Sequence, residues 1–146
     1  MTRSRPAEWD LAIHNYTRAI RSGELTQTGL ARVFRSRGNV HLAAGNIAEA
    51  MKDYDTALRL DSNYNLAYVS RGVVIHEQRN YQLAIAEYDQ AIALDPDYAL
   101  AYANRGGALE QLEQIDDAIL DFQKAYVLGL TEAWLVDVST AYNALP

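Results

Sequence analysis

The sequence predicts an all-α solenoid of stacked helix-turn-helix hairpins, on three observations. The chain repeats at a spacing of 34 residues: ARVFRSRGNVHLAAGNIAEAMKDYDTALRLDS from Ala31, NLAYVSRGVVIHEQRNYQLAIAEYDQAIALDPD from Asn65 and ALAYANRGGALEQLEQIDDAILDFQKAYVLGL from Ala99. Small residues recur in register, as Gly38, Gly72 and Gly106, then Ala50, Ala84 and Ala118, then Ala57, Ala91 and Ala125. An aromatic recurs among them, as Tyr54, Tyr88 and Phe122. A fixed period of this length marks a repeat array. Each unit leaves an apolar side open, so neighbours must stack to cover it.

At 146 residues, 49% apolar and 22% charged, the chain fits one folded domain, residues 1–146. No run of apolar residues is long enough for a membrane span. The opening MTRSRPAEWD lacks the apolar core of a secretory signal, which suggests a cytoplasmic protein, or an exported one whose signal has been removed. With no cysteine, disulfides and thiolate metal sites are excluded. Charge is uneven: residues 1–50 hold seven Arg against four acidic residues, and residues 51–146 hold six basic against fifteen acidic. A predominantly acidic body argues against nucleic acid as a partner, because such binding rests on neutralising phosphates.

Residues 7–22 read as an amphipathic helix in which Ala12, Tyr16 and Ala19 repeat the spacing of Ala50, Tyr54 and Ala57. This is the second helix of a half-repeat, stopped at Gly23. Ala19 to Ala57 exceeds the period by four residues, so GELTQTG is expected to hold a longer turn. Full repeats follow at 31–64, 65–98 and 99–130. First helices are expected over 31–44, 65–78 and 99–112, and second helices over 47–60, 81–94 and 115–128. Gly45-Asn46, Arg79-Asn80 and Glu113-Gln114 fill the turns between them. Pro96 cannot continue a helix and biases Asp95 away from helical geometry. The small residues let paired helices approach closely, and the aromatics fill the space around them. Residues 131–145 read as a capping helix with an apolar face of Leu135, Val138, Tyr142 and Leu145.

At these residues the chain resembles the tetratricopeptide repeat (TPR) family, whose pattern W-x2-L-G-x2-Y…A-x3-F…P is met in part by all three units. Tyr68, Gly72, Ala84, Tyr88 and Pro96 carry it in the middle unit. Phe34, Tyr68 and Tyr102 stand where tryptophan is typical, and Arg37, Arg71 and Arg105 where leucine is typical; this Arg-Gly version looks like that of bacterial TPR proteins. Asp53, Glu87 and Asp121 recur with the arginines, which suggests a ladder of Arg–carboxylate pairs between packed helices, with ligand binding as the alternative.

The resemblance implies a right-handed solenoid whose first helices line a concave, peptide-binding surface. Positions two, five, nine and twelve of each unit would face it. They are Arg32, Arg35, Asn39 and Leu42, then Leu66, Val69, Val73 and His76, then Leu100, Ala103, Gly107 and Glu110. Such a groove is basic and polar at its N-terminal end, apolar in the middle and acidic beyond. A protein or peptide partner is therefore expected to meet Arg32, Arg35, Asn39, Leu66, Val69, Val73, His76 and Leu100. Leu66, Val69, Val73 and Leu100 form an exposed apolar patch in this reading, unless the superhelix or the C-terminal helix buries part of them. Some TPR proteins clamp the C-terminal carboxylates of chaperone tails. Arg35 and Asn39 match half of that clamp, but Ser70, Leu100 and Asn104 replace the rest.

Neither catalysis nor a cofactor is expected. His14, His41 and His76 lie on separate helices without metal-ligand spacing, and no nucleophile elbow or phosphate loop is present. Asp116-Asp117 opens a helix, where carboxylates favour the dipole. The alternative to peptide binding is self-assembly into a homo-oligomer through the terminal helices. Trp9, Ile13, Tyr16 and Ile20 would meet a second copy or the segment around Trp134.

Overall fold

The computed structural model describes residues 5–129, and those residues form seven α-helices with no strand among them. They are α1 (Arg5–Arg21), α2 (Gln27–Ala43), α3 (Ile47–Leu60), α4 (Asn65–Glu77), α5 (Tyr81–Leu94), α6 (Ala99–Gln111) and α7 (Ile115–Val127). The expected capping helix over 131–145 lies outside the described residues. Three hairpins result, α2 on α3, α4 on α5 and α6 on α7, stacked through α1–α2, α3–α4 and α5–α6. The first helices also touch one another, α2 with α4 and α4 with α6, so they line one continuous surface.

The aromatic and the glycine of each unit meet as a knob and its seat. Tyr54 and Tyr88 are fully buried, and Phe122 is nearly so. A Cβ on Gly38 would stand 2.7 Å from Tyr54 Cε1, on Gly72 2.5 Å from Tyr88 Cε1 and on Gly106 2.6 Å from Phe122 Cε1. No side chain fits there, which explains the spacing of the glycines. Ala50, Ala57, Ala84, Ala91, Ala118 and Ala125 are buried around these rings.

Each first helix ends in the same motif. Asn46, Asn80 and Gln114 donate their amide hydrogens to His41, Ile75 and Leu109, at 2.8, 3.1 and 2.9 Å. The residue before each is left-handed: Gly45 (φ 82°), Arg79 (φ 63°) and Glu113 (φ 60°). This satisfies carbonyls that a helix end otherwise leaves unpaired, although only the first unit uses the glycine that the geometry favours. Second helices end at Asp61 and Asp95, whose Oδ1 atoms accept from Asn63 and Asp97 amides at 3.1 and 3.0 Å.

One boundary departs from expectation. The four extra residues before the first full repeat do not lengthen the turn; they lengthen the helix, so α2 begins at Gln27 rather than residue 31. Thr26 caps it, its hydroxyl accepting from the Gly29 amide at 3.0 Å. Gln27 Nε2 then donates to the Leu60 carbonyl at 2.7 Å, tying the added turn to the end of α3.

Candidate functional site

The first helices carry two kinds of polar side chain, and only one kind belongs to the packing. Arg37 grips Asp53 with two hydrogen bonds, at 2.8 and 2.7 Å. Arg71 grips Glu87 at 2.7 and 3.1 Å, and Arg105 grips Asp121 at 2.7 Å twice. Each guanidinium also lies over the aromatic one turn earlier, Phe34, Tyr68 or Tyr102, at 5.3 to 5.7 Å. Hydrogen bonding to Asp53 and to Asp121 holds Arg37 and Arg105 above the ordinary arginine pKa.

The third donor of each arginine reaches back across the hairpin boundary. Arg71 Nη1 donates to Asp55 at 3.0 Å and Arg105 Nη1 to Asp89 at 2.8 Å. Arg37 Nη1 finds Thr17 Oγ1 at 3.1 Å, because the half-repeat carries threonine where the later units carry aspartate. The arginines thus fasten each hairpin both to itself and to the one before. Sequence reasoning identified the pairs within hairpins but missed those between them, although Asp55 and Asp89 recur at the same period.

On the other face of the first helices lies a cleft of about 290 Å³. Its α2 wall is Arg35, Asn39 and Leu42, with Tyr54 behind them on α3. The α4 floor is Leu66, Val69, Ser70 and Val73, and the far wall on α6 is Leu100 and Asn104. Six of the eight expected partner-binding residues are therefore brought together: Arg35, Asn39, Leu66, Val69, Val73 and Leu100. Arg32 is exposed on α2 but does not line the cleft. His76 also lies outside it, half-buried, edge-on to Tyr81 at 5.1 Å and facing Gly107. Burial pushes the His76 imidazole below its ordinary pKa.

The expected exposed apolar patch needs correction at Val69. It is only 3% exposed, packed in a cluster with Ala84, Tyr88, Ala91, Ala101 and Ala108. Position five of the unit points between α4 and its neighbours when the residue is aliphatic, and only a long side chain such as Arg35 reaches out from it. Ala103, at the same position in the third unit, is likewise buried. Val73 and Leu66 are half-buried, and Leu100 is 38% exposed. The accessible apolar surface therefore centres on Leu66, Val73 and Leu100.

Polar groups in the cleft are largely wired internally. Arg35 Nε donates to Ser70 Oγ at 2.9 Å, and Ser70 Oγ donates to the Leu66 carbonyl at 3.0 Å. Tyr54 donates its hydroxyl hydrogen to Asn39 Oδ1 at 2.7 Å, and burial pushes that phenol up to about 12. Asn104 Nδ2 donates to the Leu100 carbonyl at 2.9 Å. Ser70 and Asn104 occupy equivalent positions in successive units, and both stand where the sequence departs from the carboxylate clamp. Among the described residues no cluster of three His, Cys, Asp or Glu could hold a metal ion.

Comparison with known proteins agrees with this architecture. A family profile described as tetratricopeptide repeat matches residues 7–65, 35–99 and 77–133. Comparison with curated proteins returned no match. Among solved structures, the Arabidopsis OM64 TPR domain superposes with a TM-score of 0.75 at 23% identity, covering 82% of this chain and all of that one. The first TPR of Spaghetti (RPAP3), bound to the HSP90 peptide SRMEEVD, gives 0.72 at 22% identity, covering 79% and 92%. The second TPR of Spaghetti, bound to the same peptide, gives 0.65 at 28% identity, covering 69% and 94%. On the profile match across its stacked hairpins, the chain belongs to the tetratricopeptide repeat family.

Proposed function

We propose that the protein is a noncatalytic interaction module that docks a segment of a partner protein in the cleft across α2, α4 and α6. The observation that carries this reading is the composition of that cleft. It combines one cation, Arg35 on α2, with accessible apolar side chains on α4 and α6. A concave site with a few placed polar groups on an apolar lining suits a ligand side chain or short segment. Peptide binding by both Spaghetti TPR domains supports the class of ligand. The acidic body argues against nucleic acid.

Partner capture from extracts of the source cells tests the proposal, with Leu100→Asp and Arg35→Ala beside the unchanged chain. Leu100 is exposed enough to accept a charge without unfolding. The expected result is loss of a specific partner in both variants at unchanged helical content. Equal capture by all three chains would contradict it.

Self-assembly is the second reading, favoured by one feature of α1. Leu11 is 61% exposed beside a shallow cleft of about 400 Å³ lined by Ala7, Glu8, Ala12 and Asn15. Light scattering across concentration and salt checks it: a monomer insensitive to both removes this reading.

A further inference from the structure

We infer that the cleft recognises a single carboxylate in the interior of a partner chain, with an apolar residue on each side of it, and not a chain end carrying two carboxylates. This rests on the groove reading above and names the chemistry of its ligand.

Ser70 Oγ, Asn39 Oδ1 and Asn104 Nδ2 already have partners within the protein. Arg35 commits its Nε to Ser70 and lies over the Tyr64 ring at 6.0 Å; among the described residues its two Nη groups have no hydrogen-bond or ion-pair partner. Among the described residues no carboxylate lines the cleft, and Arg35 is its one cation. Burial raises the phenols of Tyr54 and of Tyr98, which precedes α6, and the Arg35 charge reaches both and acts against that rise. A guanidinium held by its Nε presents its Nη hydrogens as fixed donors, which match a carboxylate in geometry and charge.

One fork balances one carboxylate. A chain end with an acidic last residue brings a second negative charge into a site partly shielded from water. Leu100 and Asn104, on the opposite wall, offer that charge no cation. An uncompensated charge there costs more than the first pair contributes.

The placement of apolar residues decides between an interior residue and an end. At about 1.5 Å per residue, Leu42 stands roughly 10 Å beyond Arg35 along α2, and Val73 roughly as far beyond Leu66 along α4. Leu66 and Leu100 lie toward the N-terminal ends of their helices, and Leu42 and Val73 toward the C-terminal ends. Arg35 and Ser70 stand between these two apolar zones. A ligand that fills both zones must continue on either side of the carboxylate, and a chain terminus continues on one side only.

Peptide display tests this directly. Random dodecapeptides held between two fixed flanks of a carrier protein, so that no terminus is free, are panned on the full chain and on Arg35→Ala. Enriched sequences are expected to centre on one Asp or Glu with an apolar residue on each side. The acidic preference, but not the apolar one, should vanish with Arg35→Ala. If that variant fails to fold, Arg35→Lys replaces it, keeping the charge but losing the fork. The most enriched sequence, synthesised with acetylated and amidated ends, should bind at least tenfold more tightly than its acid-to-amide version. It should also bind at least tenfold more tightly than SRMEEVD with a free C-terminus. Enrichment without an acidic residue overturns the inference, as does no enrichment at all. Tighter binding of SRMEEVD, weakened by Leu100→Asp, overturns the inference and leaves the groove reading standing.

Discussion

The helices α2, α4 and α6 each present one face to their own second helix and another to the open cleft, and the two faces obey different rules. On the packed face the residues repeat in kind: Gly38, Gly72 and Gly106 under an aromatic ring, and Arg37, Arg71 and Arg105 on a carboxylate. On the open face they change from unit to unit. Arg32, Leu66 and Leu100 share one position, as do Asn39, Val73 and Gly107. Stacking makes the same geometric demand three times, so its solution recurs. Where no neighbouring helix makes a demand, the residue is free to serve a ligand, and each unit offers something different.

The largest effect is expected from breaking the packed face at its ionic joint. Arg71→Glu places a carboxylate beside Glu87 and Asp55, both hydrogen-bonded to the arginine it replaces. A loss of about 3 kcal/mol in a denaturant melt is expected, since removing one partner strands the other charge. A change below about 0.5 kcal/mol would mean that the ladder behaves as solvated surface.

Adjacent glycines on α6 sharpen the contrast. A Cβ at Gly106 meets Phe122 at 2.6 Å, whereas at Gly107 the nearest atom is His76 Cε1 at an ordinary 3.6 Å. Gly106→Ala should destabilise by about 1–3 kcal/mol through overpacking. Gly107→Ala should stabilise by about 0.5–1 kcal/mol, because alanine is the better helix former. Two substitutions one residue apart are thus expected to move the melting temperature in opposite directions.

The two faces meet at the aromatic hydroxyls. Tyr54 bonds Asn39, but Val73 replaces that asparagine in the next unit and the Tyr88 hydroxyl is buried without a hydrogen-bond partner among the described residues. The third unit pairs Gly107 with Phe122 and has no hydroxyl to satisfy. Tyr54→Phe should therefore cost about 1 kcal/mol and Tyr88→Phe gain about as much. Burial raises both phenols above the ordinary value of 10.0. Their protons are retained in the folded protein while the unfolded chain loses them, so stability should fall as pH rises above 10. Tyr88→Phe should reduce the slope of that fall, read from melts between pH 9 and about 11.5.

The smallest effect is expected at the turns. Arg79 and Glu113 hold left-handed backbone where the first unit has Gly45. Arg79→Gly should raise stability by up to about 1 kcal/mol, the cost of that conformation for a residue with a Cβ. No gain would show that the turn relaxes the strain elsewhere.

Much of the packed face was legible in the sequence because it repeats. The period marked Gly72 as a point of close helix approach and Tyr88 as a filler of the space around such points, and it put Arg71 near Glu87; that the ring seats on the glycine itself is seen only in the structure. The start of α2 was not legible, because a four-residue insertion can enter a turn or a helix and only the Thr26 cap and the Gln27 contact with Leu60 decide. The cleft was read less well for a related reason. Family positions identify which residues point roughly outward, but whether the side chain emerges depends on its length. Arg35 reaches the cleft from the position where Val69 is swallowed by the core. The wiring of Arg35 to Ser70 joins two first helices across 35 residues of chain, and no period announces it.

The division between a packed face and a binding face is tested most directly by nuclear magnetic resonance, recording the backbone amides of the labelled protein while a partner segment is titrated in. Shifts are expected to be confined to α2, α4 and α6 around Arg35, Ser70, Val73 and Leu100. The amides of α3, α5 and α7 beside Asp53, Glu87 and Asp121 should be unmoved. Shifts concentrated on those second helices, with the cleft silent, would contradict it.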